Sequence, residues 1–171
     1  MIFDPRGHLE TVIRLSRRGV LRWTALAVLA RGVRAEQTDT AAVLDAAAER
    51  ILPGAREAKV SRFIERQLGG DLAELRPAFD QLARLLDLWS RKAYSRGFAA
   101  LAPEEQDTVL GQLARGQIPA RGFPQEAVFR ALHTLTLEGY LSDPVHGGNE
   151  GQIGWRSIGF PEPRLRHKHG R

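Results

Sequence analysis

Residues 72–94 read LAELRPAFDQLARLLDLWSRKAY, and this stretch decides the fold class of the chain. Its large apolar side chains recur every three or four residues, at Leu75, Phe79, Leu82, Leu86 and Trp89. A helix places side chains with this spacing along one face. Pro77 falls in the first turns, where a helix tolerates proline or restarts. The stretch therefore predicts one long amphipathic helix.

Four more segments around this helix carry the same helical spacing: about 40–52, 59–68, 103–115 and 122–140. Asp39 or Thr40 can cap the first of them, and Pro53-Gly54 ends it. The last runs through the apolar side chains of Val128, Phe129, Leu132, Leu135 and Leu137. No alternating pattern of β-strands occurs before residue 140. The sequence thus predicts an all-α fold, a single small domain of about five helices over residues 36–161.

The composition changes after Leu141. Residues 142–161 contain five glycines, with Gly139 just upstream, and also Val145, Ile153, Trp155, Ile158 and Phe160. A flexible linker is poor in such apolar side chains, whereas glycine permits the left-handed backbone that ordered turns require. We therefore expect an ordered, glycine-rich loop here. Residues 162–171 are basic, and we expect them to form a disordered tail.

The net charge of +5 is confined to the start of the chain. Of the 25 basic and 20 acidic residues, seven and two lie in residues 1–35, which leaves 18 of each in the remainder. A neutral body offers no basic stripe for phosphates, so we predict no nucleic-acid partner. The absence of cysteine excludes disulfides, zinc–thiolate sites and covalently attached haem c from this chain.

The first 35 residues have the organisation of an export signal. The stretch 16–22 reads SRRGVLR and resembles the twin-arginine consensus, with Arg17, Arg18 and Leu21 as its key residues. An apolar run, 23–30, follows, and small residues before position 36 allow cleavage after Ala35. The alternative is an amphipathic helix whose arginines face solvent. We predict recognition by the twin-arginine translocase, delivery to the periplasm, and membrane association only through partners.

Three stretches near the C-terminus carry a resemblance to a known family: 136–144 (TLEGYLSDP), 147–149 (GGN) and 154–161 (GWRSIGFP). They resemble the C-terminal signature of the gluconate 2-dehydrogenase subunit 3 family. Residues 44–54 and 63–68 are similar to the first two helices of that family. The resemblance covers most of the chain from about residue 41 to 161.

This resemblance implies an accessory role rather than a catalytic one. Members are small subunits of periplasmic, membrane-associated dehydrogenases whose large subunit carries FAD and oxidises a sugar, polyol or sugar acid. A multihaem cytochrome c subunit commonly accepts the electrons, and the small subunit often supplies the export signal for the flavoprotein. We therefore expect no catalytic residue, metal or cofactor in this chain. The sequence agrees, because it contains neither a Gly-x-Gly-x-x-Gly turn nor a Cys-x-x-Cys-His motif.

The C-terminal segment, residues 142–161, is the expected docking element for the flavoprotein. Trp155 and Phe160 are large enough to anchor a partner, although a place in the core is an equal alternative. The residues assigned to docking are Tyr140, Asp143, Pro144, Gly147, Gly148, Asn149, Trp155, Gly159, Phe160 and Pro161.

Other readings of the same region remain open. A metal or acid–base site would use His133, Glu138, Asp143 and His146. Nucleophilic catalysis would use Ser142 together with Asp143 and His146. The stretch 147–149 could hold a phosphate. Local hydrogen bonds and tight turns explain these residues better. The alternative function is a free-standing periplasmic helical binding protein, which a neighbouring gene for a large FAD oxidoreductase would argue against.

Overall fold

A computed structural model of the chain describes residues 38–161. Within that range there are six α-helices and no β-strand: α1 (Thr40–Ile51), α2 (Val60–Gly69), α3 (Arg76–Tyr94), α4 (Pro103–Ala114), α5 (Gln125–Leu141) and α6 (Ile153–Ser157). Single 3-10 turns lie at Ala73–Leu75, Phe98–Ala100, Pro144–His146 and Glu150–Gln152. The predicted all-α fold is confirmed.

The helices begin where the sequence indicates. The carboxylate of Asp39 accepts a hydrogen bond from the backbone N–H of Ala42, so Asp39 is the residue that caps α1. Pro77 lies in the first turn of α3, preceded by a 3-10 turn, and thus resets the start of the predicted 72–94 helix. In α4, the side chain of Glu105 accepts a hydrogen bond from the N–H of Ala102.

Helix α1 lies at the centre of the fold and packs against α2, α3, α4 and α5. Its buried face combines Val43 and Leu44 with three alanines, Ala46, Ala47 and Ala48. Because alanine side chains are short, several helices can approach α1 closely and share one core. That core takes large side chains from every neighbour, including Phe79, Leu82 and Leu86 of α3 and Leu132 and Leu135 of α5.

The segment after α5 differs from the expected glycine-rich loop. It consists of two 3-10 turns followed by α6, which packs against α5. Only turns of a few residues separate these short elements. None of the helices over residues 38–161 is long and apolar enough to cross a membrane. The predicted export signal, with Arg17, Arg18 and Leu21, and the predicted tail 162–171 lie outside the described residues.

Candidate partner-docking surface

Two glycines hold the C-terminal segment against the backbone of α5. A Cβ atom at Gly148 would overlap the carbonyl oxygen of Gly139, and one at Gly154 would overlap that of Tyr140. Both glycines are buried, and the atoms that such a Cβ would meet first belong to the backbone of α5, which cannot move aside as a flexible side chain can. At these two glycines the backbone of the segment lies closer to α5 than any residue with a side chain would permit.

Asn149 joins the beginning of the segment to its end. Its side chain is fully buried; the amide nitrogen donates to the carbonyl of Ser142 at 2.9 Å, and the amide oxygen accepts from the N–H of Gly154 at 2.8 Å. Its φ of 48° is left-handed, a conformation that asparagine tolerates better than most residues. The neighbouring N–H of Glu150 donates to the carbonyl of Ala58, which fixes the segment to the loop before α2.

The first turn of the segment uses Asp143, Pro144 and Gly147. The carboxylate of Asp143 accepts a hydrogen bond from the N–H of Val145 at 3.0 Å, and Pro144 begins the 3-10 turn. Gly147 ends that turn with a φ of 101°, in the region that favours glycine. These three residues, like Gly148 and Asn149, shape the backbone of the segment.

Tyr140 belongs to the interior rather than to the surface. Its ring is buried, and its hydroxyl lies beside Gly54 at the end of the α1 region. Three of the residues predicted for docking, Tyr140, Gly148 and Asn149, are therefore buried beneath the surface, where a partner cannot contact them directly. Gly159, Phe160 and Pro161 are exposed.

Large apolar side chains are exposed mainly in this region. Among the described residues six such side chains are exposed, and five of them lie between Leu137 and Phe160. Trp155 is half-buried; its indole N–H donates to the carbonyl of Leu141 at 2.8 Å, and its ring centre lies 5.3 Å from that of Phe160. We call the surface formed by Leu137, Leu141, Trp155, Ile158 and Phe160 the C-terminal apolar surface. Ile158 and Phe160 are 61% and 51% exposed, so more than half of each is available for contact.

Arginines lie along the edges of the segment that presents this surface. Arg62 of α2 pairs with Glu150 at 3.2 Å. Arg66 donates to the carbonyl of Val145 at 2.9 Å, and Arg156 of α6 donates to the carbonyl of Gly151. Arg62 and Arg66 therefore connect α2 to the C-terminal segment.

A comparison with known families gives one match. The model of a family described as gluconate 2-dehydrogenase subunit 3 matches residues 38–161, the same range that the structure describes. The chain belongs to the gluconate 2-dehydrogenase subunit 3 family. The resemblance found in the sequence is confirmed. No curated protein and no solved structure matches the chain.

Membership of the gluconate 2-dehydrogenase subunit 3 family gives the apolar surface a context. The family is that of a dehydrogenase subunit, so the chain is related to one component of a multisubunit complex. An apolar surface left exposed on one such component is typical of a site that another protein covers. The family match includes all five residues of the C-terminal apolar surface.

The structure does not assemble the alternative sites considered in the sequence. Within residues 38–161, no group of three or more His, Asp or Glu side chains could hold a metal ion. The hydroxyl of Ser142 donates to the carbonyl of Gly139, and Asp143 caps its turn, so the two do not form a nucleophile and its orienting acid. The turn 147–149 packs against α5 through Gly148, and the next residue, Glu150, bonds to Ala58, so the turn does not open as a phosphate cradle.

A shallow cavity of about 260 Å³ lies elsewhere, between α1, α4 and α5. Its charged groups, Arg50 and Asp107, bind each other through two hydrogen bonds of 2.8 Å. The hydrogen bond from Arg50 lowers the pKa of the Asp107 carboxyl group below its ordinary value, and the same bond raises the pKa of Arg50. Phe129 and His133 line another wall, with ring centres 6.5 Å apart. Since the two charges are engaged with each other, the cavity presents little to a polar ligand.

Proposed function

We propose that this chain is the small, non-catalytic subunit of a periplasmic FAD-dependent dehydrogenase that oxidises a sugar, a polyol or a sugar acid. In this proposal FAD belongs to the large subunit, and a multihaem cytochrome c subunit accepts the electrons. The observation that carries the proposal is the C-terminal apolar surface, exposed on a chain of a dehydrogenase-subunit family.

The proposed role of this surface is to bind the flavoprotein. The Trp155 ring is already oriented by its hydrogen bond to Leu141 and by the ring of Phe160. A side chain fixed before association loses less conformational entropy when the partner covers it. Burial of exposed aromatic and aliphatic groups then supplies the affinity, since such anchors dominate protein interfaces. The buried Asn149 and the two close-packed glycines keep the surface in place.

The proposed second role is export. The twin-arginine route carries folded proteins, so a flavoprotein bound to this chain would cross the membrane with it. Such a partner needs no signal of its own. The positive charge concentrated in residues 1–35 and the pair Arg17-Arg18 support this role.

Copurification tests the docking role. The full chain is coexpressed with an affinity-tagged FAD-dependent large subunit from the same genome, and the amount retained is measured. Replacing both Ile158 and Phe160 by serine should strongly reduce retention, as should Trp155→Ala. Leu88→Ser is the matched control, because Leu88 of α3 is equally exposed and lies outside the surface. Helical circular dichroism of each isolated chain should stay near wild type.

Three results would count against docking at this surface. Retention of the Ile158 and Phe160 double variant at the wild-type level would exclude it. A loss of helical structure in Trp155→Ala would assign Trp155 to the core. If the wild-type chain retains no flavoprotein, the alternative of a free-standing periplasmic binding protein is favoured.

Export is tested with Arg17→Lys combined with Arg18→Lys, which keeps the charge and removes the planar guanidinium pair. Both this chain and the flavoprotein should then stay in the cytoplasm. Normal dehydrogenase activity in the periplasm of that strain would contradict joint export.

The assignment of cofactors to the partners is tested with the purified chain alone. It should bind neither FAD nor haem and should show no dye-linked dehydrogenase activity. A flavin absorbance band that stays with this chain through gel filtration would contradict the proposal.

A further inference from the structure

The outward side of α5 connects the C-terminal apolar surface to the cavity between α1, α4 and α5. Leu137 and Leu141 belong to that surface and are 38% and 40% exposed. His133 lies one turn before Leu137, and Phe129 lies one turn before His133; both rings line the cavity. Side chains four residues apart are neighbours on a helix. These four residues therefore form one continuous line, about 18 Å long at the rise of an α-helix.

The cavity at the far end of this line suits an apolar occupant. Besides the two rings and an ion pair, four residues line it: Ile51, Leu110, Gly111 and Ala114. The ion pair between Arg50 and Asp107 satisfies its own charges. The volume of about 260 Å³ is larger than the roughly 150 Å³ of a cavity that binds benzene. The size and the lining therefore suit one aromatic or branched aliphatic side chain.

The C-terminal apolar surface alone is small for a lasting complex. Four of its five side chains are 38–61% exposed, and Trp155 is half-buried. With about 150–250 Å² for each large side chain, the five together expose roughly 400–500 Å². Permanent complexes bury about 1,000 Å² or more on each partner, of which roughly 65% is apolar. A subunit that crosses a membrane together with its partner needs such a complex, so further apolar area has to lie beside this surface.

We propose that the flavoprotein follows α5 from the C-terminal apolar surface to the cavity, where it inserts one aromatic or branched aliphatic side chain. This inference rests on the proposed docking function and specifies a second contact site for the same partner. Side chains that fill pockets in this way dominate the affinity of many interfaces. An aromatic side chain in the cavity faces the rings of Phe129 and His133 on one wall. On another wall it faces the guanidinium group of Arg50, which can stack on an aromatic ring.

Filling the cavity tests the second contact site. Gly111 lines the cavity from α4, and a Cβ atom there first meets the flexible end of Arg115. Gly111→Leu should therefore occupy the space without destabilising the helix, since glycine is a poor helix former. Ala114→Leu fills the same cavity from the next turn of α4. Gly69→Leu is the matched control, because a Cβ at Gly69 meets open space at the end of α2.

The effect is measured as the dissociation constant between the full chain and the separately purified FAD-dependent large subunit from the same genome. Gly111→Leu and Ala114→Leu should each weaken binding about 10- to 100-fold, the loss expected when one buried apolar side chain is excluded. Gly69→Leu should bind as wild type. The circular dichroism and the melting temperature of each isolated variant should stay near wild type.

Cysteine footprinting measures coverage of the surface directly, because the chain contains no cysteine of its own. The variants His133→Cys, Ile158→Cys and Leu88→Cys each place a thiol at a position that is exposed in the described structure. Alkylation of the full chain by iodoacetamide is followed by mass spectrometry with and without the large subunit. His133→Cys and Ile158→Cys should react at least about tenfold more slowly in the complex, because burial excludes the reagent. Leu88→Cys should react equally fast in both samples.

Several results would overturn the inference. If Ile158→Cys is protected in the complex but His133→Cys is not, or if both filling variants bind as wild type, the docking function stands and the second contact site is wrong. Equal weakening by Gly69→Leu would show that the filling variants do not act through the cavity. If the wild-type chain does not bind the large subunit, the proposed function fails as well. If the filling variants abolish only self-association of the isolated chain, measured by sedimentation, a second copy occupies the cavity instead.

Discussion

Replacing Asn149 by alanine should release the C-terminal segment while leaving the helical core folded. The change removes the hydrogen bonds to the carbonyl of Ser142 and from the N–H of Gly154, in a site where Asn149 is fully buried. Leaving these two backbone groups unpaired costs about 1–3 kcal/mol each, or roughly 2–6 kcal/mol in all. The left-handed φ of 48° costs alanine about 1 kcal/mol more than asparagine.

This loss should be local because the segment contributes little to the core. Between residues 142 and 161, only Gly148, Asn149 and Gly154 are buried, and Ile153 is the one large side chain there that packs partly against the core. Detaching the segment thus exposes little apolar surface. The substitution therefore lowers the global free energy of unfolding by no more than the amount that the docked segment contributes to it.

Residue-resolved hydrogen exchange of the full chain measures this effect. The amide of Gly154 donates to Asn149 and that of Glu150 donates to Ala58, so both report on docking of the segment. A local penalty of about 3 kcal/mol corresponds to roughly 100-fold faster exchange at these amides. Amides of α3 should keep their protection, and the circular dichroism should change little.

Asn149→Gly is the matched control, because glycine adopts the left-handed conformation freely but lacks the amide side chain. It should reproduce most of the faster exchange, since the hydrogen bonds carry most of the cost. Unchanged exchange at Gly154 and Glu150 in the alanine variant would refute the account of the hydrogen bonds. An equal loss of protection in α3 would show that the segment is integral to the core.

Three further substitutions test single contacts of the fold. Gly154→Ala should lower the melting temperature, because its Cβ overlaps the α5 backbone, whereas Gly69→Ala, whose Cβ meets open space, should not; equal calorimetric melting would contradict this. Asp87→Ala should reduce the free energy of unfolding in urea by about 1–3 kcal/mol, because it leaves the buried backbone N–H of Phe98 without its acceptor. Asp107→Asn should cost at most about 1 kcal/mol at neutral pH, since its ion pair is partly exposed. Arg50 lowers the pKa of Asp107 in the folded state. The ion pair therefore stabilises the fold above the unfolded pKa of about 3.9, and this stabilisation is lost as the pH falls through the folded pKa. A difference in stability between Asp107→Asn and wild type that persists in acid would contradict the role of the ion pair.

The helices of the body could be predicted from the sequence because each is long enough to show its period. Spacings of three and four residues place side chains on one face of a helix regardless of the fold around it. Capping residues and prolines then locate the ends, as Asp39 and Pro77 do. The predicted helices agree with α1 to α5 within a few residues.

Helix α6 could not be predicted in the same way. It has five residues, Ile153–Ser157, which is too short to display a helical period, and it contains a glycine. Its position depends on contacts with residues distant in sequence, such as the close approach of Gly154 to α5 and the bond from Trp155 to the carbonyl of Leu141. Tertiary packing therefore overrides the weak local preference of this stretch.

The C-terminal apolar surface was predicted in part from the sequence. Trp155 and Phe160 were identified, whereas Leu137 was grouped with the other apolar residues of its helix, and the structure exposes it. The spacing of Leu135 and Leu137 could have shown this, because residues two apart on a helix are separated by about 200° around its axis. Leu135 is fully buried, so Leu137 has to face the opposite side. Leu141 follows one turn later and joins Leu137 on the exposed face.

The residues that carry the family resemblance divide into two physical groups, and this division can be tested. Asn149 and Gly154 fix the backbone of the segment from inside, whereas the apolar side chains of Ile158 and Phe160 are exposed. One hypothesis is that Asn149 and Gly154 act on binding only by holding Ile158 and Phe160 in position. In that case, substitutions in the two groups cannot have additive effects on the free energy of binding the flavoprotein. Replacing Phe160 by serine should weaken binding strongly in the wild-type chain but only slightly in the Asn149→Ala chain, where the surface is already displaced. A double-mutant cycle of dissociation constants measures this coupling. Fully additive effects would mean that Asn149 contributes to binding by some route other than holding the segment on α5.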